Sequence, residues 1–389
     1  MQLSLYPPDP DVLKRPPRPD GLTRFQAALD TVPAGSAAQV WVRLPVQLGD
    51  LVMAMPSLFL VKGVWDRLAR DRGVQLGFIV SGRRSAALFQ EAVPDVFAAC
   101  LEDGGFPASS SPFRLLRHWG SHRPLAVINY SKSDRVKLAA WLARVPVRAG
   151  IADGSNNWCY HFSHPFERYA QVGHRLFRYL PLTQWLAGPE AAAPPVLLGG
   201  PGFGGGSVLS LLRDQGWDGG PYVVFGVHPR AACTERRWYP SDGPWVRLAA
   251  LAREEGFTPV LAGGPESREG LERLAAQSGS LCLAGRTSLP QLLALAANAM
   301  GTISVDTGIA HLSAATGKPT VVVFAHGLEY WDLPWGPKVV SLRGDPAGEP
   351  AYPLPPGALD LALRPWAAVT STLTARRVWS MLKLLSAEG

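Results

Sequence analysis

The sequence predicts an α/β protein made of two similar units, each a parallel sheet covered by helices on both faces. Three observations predict it. Short apolar runs alternate with helix-period segments along the chain, the pattern of repeated βαβ units. The 389 residues are 47% hydrophobic and 18% charged, enough apolar surface for two cores. A Gly-, Pro- and Ala-rich stretch near residues 184–206 separates two such alternations.

In chain order, residues 1–37 read as a Pro-rich N-terminal arm. Six prolines in the first twenty residues favour an extended or disordered chain. Residues 38–195 form the first unit. It opens on a buried strand at 38–45, and Leu48-Gly49-Asp50 then turns into a long helix, broken or kinked at Pro56 and ending near Arg72. A strand at Val74–Val80, a helix near 84–91, a strand at Leu125–Asn129, a helix near 133–144 and a strand at Val147–Ile151 follow.

Residues 196–206 are the linker. They contain a formal G-x-G-x-x-G (Gly200, Gly202, Gly205), but Pro201 lies inside it and no acidic residue follows at ~20 residues, so a dinucleotide fingerprint is rejected. Residues 207–389 form the second unit. Strands at Tyr222–Val227, Thr258–Ala262 and Leu281–Leu283 alternate with helices near 242–255, 266–277 and 289–299. The strand Ile303–Val305 then ends at Asp306. Thr307 and Gly308 open a helix that Gly317 and Pro319 stop, and Thr320–Phe324 is the next strand. An amphipathic helix at 363–386 closes the chain and packs back. Two such units joined by a linker place a cleft between the C-terminal ends of their sheets, where open α/β folds bind ligands.

The net charge of +7 suits acidic partners: nucleotide phosphates, nucleic acid or an anionic membrane surface. Nucleic acid rests on charge alone and is not expected as a partner. Four scattered cysteines (Cys100, Cys159, Cys233, Cys282) argue against a zinc site or a disulfide framework and suit the cytosol. The start of the chain lacks the apolar region of a signal peptide, and no ~18-residue apolar run suggests a membrane span.

Four strand-to-helix turns hold the candidate chemistry. Asp50 is a general base toward a hydroxyl or an N-cap. Arg230, Arg236 and Arg237 follow the 222–227 strand in a loop that clamps phosphate or is simply solvated. Glu266, in Gly263-Gly-Pro-Glu266, binds a ribose diol or only complements a helix dipole. Asp306, Thr307 and Gly308 converge on a helix N-terminus, where free N–H groups favour an anion, with His311 one turn on; the alternative is an ordinary turn capped by Asp306. Arg83, Lys132 and Arg135 also follow strands and could bind an anionic acceptor or be surface charges. His118 and His122 have helical spacing, but no third metal ligand stands out.

Several segments together resemble glycosyltransferase family 9, the heptosyltransferases of lipopolysaccharide core assembly. They are Arg43-Leu-Pro-Val-Gln-Leu-Gly-Asp50, Asn129-Tyr-Ser-Lys-Ser133, Ala143-Arg-Val-Pro-Val-Arg-Ala-Gly-Ile151, Gly263-Gly-Pro-Glu266, Leu283-Ala-Gly-Arg-Thr-Ser-Leu-Pro-Gln-Leu292 and Ser304-Val-Asp-Thr-Gly-Ile-Ala-His-Leu312. The resemblance covers about residues 38–340. It implies a GT-B fold of two Rossmann-like domains facing a central cleft, the first holding the acceptor and the second the nucleotide sugar. It implies an inverting, metal-independent transfer, usually from ADP-heptose, with no cofactor beyond that co-substrate. Asp50 falls on the family's catalytic base. Asp306, Thr307, Gly308 and His311 fall on its donor-sugar and phosphate motif, Glu266 on a ribose ligand, and Thr287 near the adenine. Arg236 stands where members often have lysine. The long N-terminal arm departs from the family's usual start. A protein-modifying branch carries a cysteine-clustered iron site that is not matched here, which favours a lipid-linked or oligosaccharide acceptor. The expected location is the cytoplasm, with peripheral contact at the inner membrane face. Two other readings of the fold stand beside this one: a non-catalytic nucleotide-sugar-binding protein and a nucleotide-sugar epimerase.

Overall fold

The structure is a computed structural model; it describes residues 20–82, 85–101, 112–152, 157–165, 179–191, 197–199, 203–227, 242–324, 332–342 and 373–387. The chain divides into two compact units between residues 196 and 197. Each contains one six-stranded sheet whose strand pairs are all parallel.

In the first unit the strands are β1 (Ala37–Arg43), β2 (Gln75–Ser81), β3 (Ala99–Leu101), β4 (Ala126–Asn129), β5 (Val147–Ala152) and β6 (Phe162–Pro165). Their spatial order is β3-β2-β1-β4-β5-β6. The second unit repeats the scheme with β7 (Tyr222–Gly226), β8 (Thr258–Leu261), β9 (Leu281–Cys282), β10 (Thr302–Val305), β11 (Thr320–Val323) and β12 (Val339–Leu342), ordered β12-β11-β10-β7-β8-β9. Both are the doubly wound order of Rossmann folds. The direction of winding reverses between β1 and β4 in one unit and between β7 and β10 in the other, and each reversal opens a crevice at the carboxyl ends of those strands.

Residue alternation explains the two-sided burial. Val223 and Phe225 join one core with Trp245, Leu248, Leu274 and Trp379, while Tyr222 and Val224 join another with Val208, Leu212 and Leu295. The first unit follows the same rule: Trp41, Ile79 and Val127 face Leu115, Trp119 and Val136 on one side.

Three expectations need correction. The proline-rich character does not extend through residue 37. From Asp20 the sequence carries Leu22, Phe25, Ala28 and Leu29 at helical spacing, and Asp20–Leu29 is a helix. Phe25 is buried and stacks on Trp65, ring centroids 3.8 Å apart. Gly21 lies so close to Trp185 that a Cβ would collide with its ring, so the segment belongs to the first unit's core.

Pro56 does not break the long helix, which runs unbroken over Leu48–Asp71. A buried proline costs a helix one backbone bond, but eleven of its residues, Pro56 and Trp65 among them, are buried and hold it across the gap. Trp65 donates to the Leu186 carbonyl at 2.7 Å, tying it to the Leu180–Ala187 helix. This is the one helix among the described residues long and apolar enough to cross a membrane; its burial makes it a core helix.

The linker ends earlier than residue 206. Gly205 and Gly206 already belong to the helix Gly205–Arg213, which Gly204 (φ 57°) starts in a left-handed turn close against Ala294. The final helix is described over Ala375–Ala387, with Val378, Trp379 and Leu382 buried against the second unit.

Candidate functional site

Two groups of predicted residues fall at the two winding reversals. In the first unit the chain leaves β1 and enters the Leu48–Asp71 helix. Its N-cap is Gln47, in extended backbone and without a side-chain cap bond. Leu48 and Gly49 are therefore helical rather than a turn, and Asp50 is the third helical residue, which removes the N-cap reading. Asp50 is half-buried and sits in the first turn of that helix. Tyr179 donates to the Asp50 backbone carbonyl at 3.4 Å, and Tyr179 and Tyr130 meet edge-on at 5.6 Å. Ser57 bonds both Tyr130 and Thr183. Burial raises the Tyr130 phenol pKa, so this hydroxyl stays neutral.

The neighbouring strand β4 ends in Asn129, which organises the loop that follows. Its amide donates to the Tyr160 hydroxyl at 2.7 Å and to the Ser133 carbonyl at 3.2 Å, while its Oδ1 accepts from Ser131 N and Oγ. That loop carries exposed Lys132, and exposed Arg135 follows in the first turn of the Asp134–Leu142 helix. Asp50, Lys132 and Arg135 thus share one sheet edge. Arg83 lies outside the described residues. His118 and His122 stack face to face at 4.1 Å, and His122 Nδ1 donates to the His118 carbonyl at 2.8 Å. Stacked rings aim their in-plane lone pairs in parallel rather than at a common point. Burial and the His122 charge both lower the His118 pKa.

In the second unit β10 ends at Asp306, and Thr307, not Asp306, is the N-cap of the buried helix Gly308–Ala315. Asp306 and His311 are both buried, with His311 Nε2 3.9 Å from Asp306 Oδ1. Thr307 makes no side-chain cap bond; its hydroxyl lies 2.9 Å from Ser304 Oγ. A hydroxyl cluster fixes the helix from below: Ser313 donates to Thr302 at 2.8 Å and Thr320 to Ser313 at 3.0 Å.

Along the same edge, β7 leads into residues 228–241, which lie outside the described residues together with Arg230, Arg236 and Arg237. Next, β8 ends in the Pro265–Ser267 turn with Glu266 exposed. Gly264 leaves room for the Glu266 carboxylate to fold back over the turn, its Cβ position lying 2.5 Å from that side chain's oxygens. After β9 come Gly285 (φ 66°), packed against Pro265, and half-buried Thr287. Ser288 then caps the Leu289–Asn298 helix with a complete capping box to Gln291. Asp306–Gly308, Glu266 and Thr287 therefore stand in a row across the carboxyl edge. Strands ~4.8 Å apart make the span from β10 to β9 about 14 Å.

Ser304 and Gly226 were not among the predicted site residues. A Cβ on Gly226 would run into the Ser304 hydroxyl and Ile309. The available signal was a serine between Ile303 and Val305 in the strand Thr302–Val305 and a glycine closing the apolar run of β7.

Residues 212–350 match the profile of glycosyltransferase family 9 (heptosyltransferase). That match lies within the second unit. The chain is 35% identical over 107 residues to lipopolysaccharide heptosyltransferase 1 of Pseudomonas aeruginosa, a stretch that is 27% of this chain and 29% of that relative. The chain thus spans under a third of that curated relative's length. Among solved structures it resembles the ADP-heptose LPS heptosyltransferase II of E. coli, with TM-score 0.69 and 16% identity over 90% of this chain and 99% of that one. A family 9 glycosyltransferase of Veillonella parvula gives TM-score 0.72 and 16% identity over 90% and 98%. At these identities the structures establish the shared fold, the two-domain GT-B architecture of family 9.

Proposed function

We propose that the protein is an inverting, metal-independent glycosyltransferase. It moves a heptose or related sugar from ADP-heptose to a lipopolysaccharide-core or similar saccharide acceptor. The observation that carries this reading is the row on the second sheet's carboxyl edge. The helix N-terminus at Thr307–Gly308 suits a diphosphate. Glu266, on the turn after β8, suits a ribose diol, and the Gly285–Thr287 turn suits the base. Asp306 and His311, on the same turn, suit the donor sugar, and the family resemblance assigns Arg236, outside the described residues, to a phosphate contact.

In this mechanism Asp50 removes the proton of an acceptor hydroxyl, which attacks the anomeric carbon. The bond to the diphosphate breaks on the opposite face, so the configuration inverts. The charge growing on the leaving diphosphate is met by the N–H groups at the start of the Gly308–Ala315 helix, which are oriented before reaction. Lys132 and Arg135, on the Asp50 edge, attract the acidic groups of a lipid-linked or oligosaccharide acceptor. The enzyme works in the cytoplasm, with peripheral contact at the inner membrane face.

The test is thermal stabilisation by a panel of nucleotide sugars. A ligand present at ~100 times its Kd adds about 2.7 kcal/mol to the folded state. ADP and ADP-heptose are expected to raise the melting temperature, and UDP- and GDP-sugars are not. A shift with a uridine nucleotide sugar and none with ADP-heptose removes the donor assignment.

A further inference from the structure

We propose that Ser304 is a positioning residue for the donor turn: it holds the Thr307 hydroxyl away from its own helix and so keeps the helix N-terminus open for a diphosphate. This deepens, and rests on, the reading of that turn as the donor site. A threonine at an N-cap ordinarily turns its oxygen onto the N–H groups of the first turn and satisfies one of them. Thr307 has the extended N-cap backbone this needs, φ −145° and ψ 166°, yet makes no such bond.

The reason lies one layer below. Ser304 is fully buried and its Oγ has three oxygens in reach: Val305 O at 2.7 Å, Gly226 O at 3.1 Å and Thr307 Oγ1 at 2.9 Å. A serine hydroxyl has a single proton to give. Carbonyl oxygens only accept, so that proton goes to Val305 or Gly226, and Thr307 is the donor in the contact between the two hydroxyls. The Thr307 proton is thereby committed inward and its oxygen is drawn off the helix axis. Gly226 makes the arrangement rigid, because any side chain there would displace the Ser304 hydroxyl.

With Ser304 replaced by Ala, the Thr307 hydroxyl is free to swing onto its own first turn and competes with the ligand for the same N–H groups. The experiment is a double-mutant cycle on ADP affinity, by calorimetry, with wild type, Ser304→Ala, Thr307→Val and the double variant. Ser304→Ala is expected to weaken ADP about 3- to 10-fold, the scale of one competing hydrogen bond. In the Thr307→Val background, where no hydroxyl can swing, the same change is expected to matter less than about twofold. The melting temperatures of the free proteins, read alongside, separate this from general damage to the fold. Equal loss in both backgrounds overturns the proposal, as does ADP binding by Ser304→Ala at wild-type strength. Should Ser304→Ala fail to fold, Ser304→Cys serves, whose weaker donor predicts a smaller loss that again vanishes with Thr307→Val. Absence of ADP binding by the wild type sinks the donor-site reading itself, and with it this role.

Discussion

Asp50→Asn lowers kcat by about 10²- to 10⁴-fold, the usual worth of a general base, while ADP-sugar affinity stays within about twofold of wild type. Both halves of that expectation follow from where the residue sits. Asp50 lies in the first unit, at the carboxyl edge beside β1, while the groups assigned to the donor lie in the second. Asn preserves size and shape and keeps a first-turn acceptor, so the Leu48–Asp71 helix loses only a modest dipole interaction. What it cannot do is take a proton. Steady-state kinetics with a calorimetric Kd for ADP separates the two. A kcat loss below ~10-fold excludes Asp50 as the base. A comparable loss of ADP affinity shows instead that the substitution disturbed the donor site.

Phe25→Ala destabilises the first unit by about 3–5 kcal/mol, the range for truncating a buried aromatic. At ~2–4 °C per kcal/mol the melting temperature falls by roughly 10 °C. The magnitude comes from geometry. Phe25 is fully buried, and its ring lies flat on Trp65, interplanar angle 6°. Trp65 in turn meets Phe78 of β2 at 6.2 Å and donates to Leu186. Removing the Phe25 ring leaves a void beneath two other elements. Calorimetric unfolding measures it, and a fall of less than ~2 °C would make Asp20–Leu29 an appendage rather than part of the core.

That helix also shows what the sequence concealed and why. Its apolar spacing is readable from Leu22 to Leu29, but the prolines before it biased the whole segment toward an extended arm. The central strands were legible because each is a short apolar run stopped by Gly, Asp or Pro. Ile303–Val305 ending at Asp306 is the clearest case, and the structure places β10 at Thr302–Val305. Edge strands such as Ala99–Leu101 and Phe162–Pro165 were not, since so few residues carry no period. Pro56 does not end the helix, because local propensity takes no account of the burial that offsets a lost backbone bond.

The candidate site was legible in its acidic and glycine residues, which stand out at strand ends. The exact seat of Asp50 was not, because Gly49 looks like a turn residue yet costs little in a first helical turn, where its N–H has no partner in the helix to lose. Ser304 was invisible as a participant. Its role depends on which of three oxygens receives one proton, and that is a property of packing against Gly226 rather than of spacing along the chain.

The most direct measurement is turnover of ADP-heptose with a lipopolysaccharide-core oligosaccharide, following ADP release and reading the product's anomeric configuration by NMR, with and without chelator. The predicted result is ADP release only when acceptor is present, a product of opposite anomeric configuration to the donor, and an unchanged rate in chelator. Retained configuration, loss of activity in chelator, or donor consumed without acceptor would contradict it.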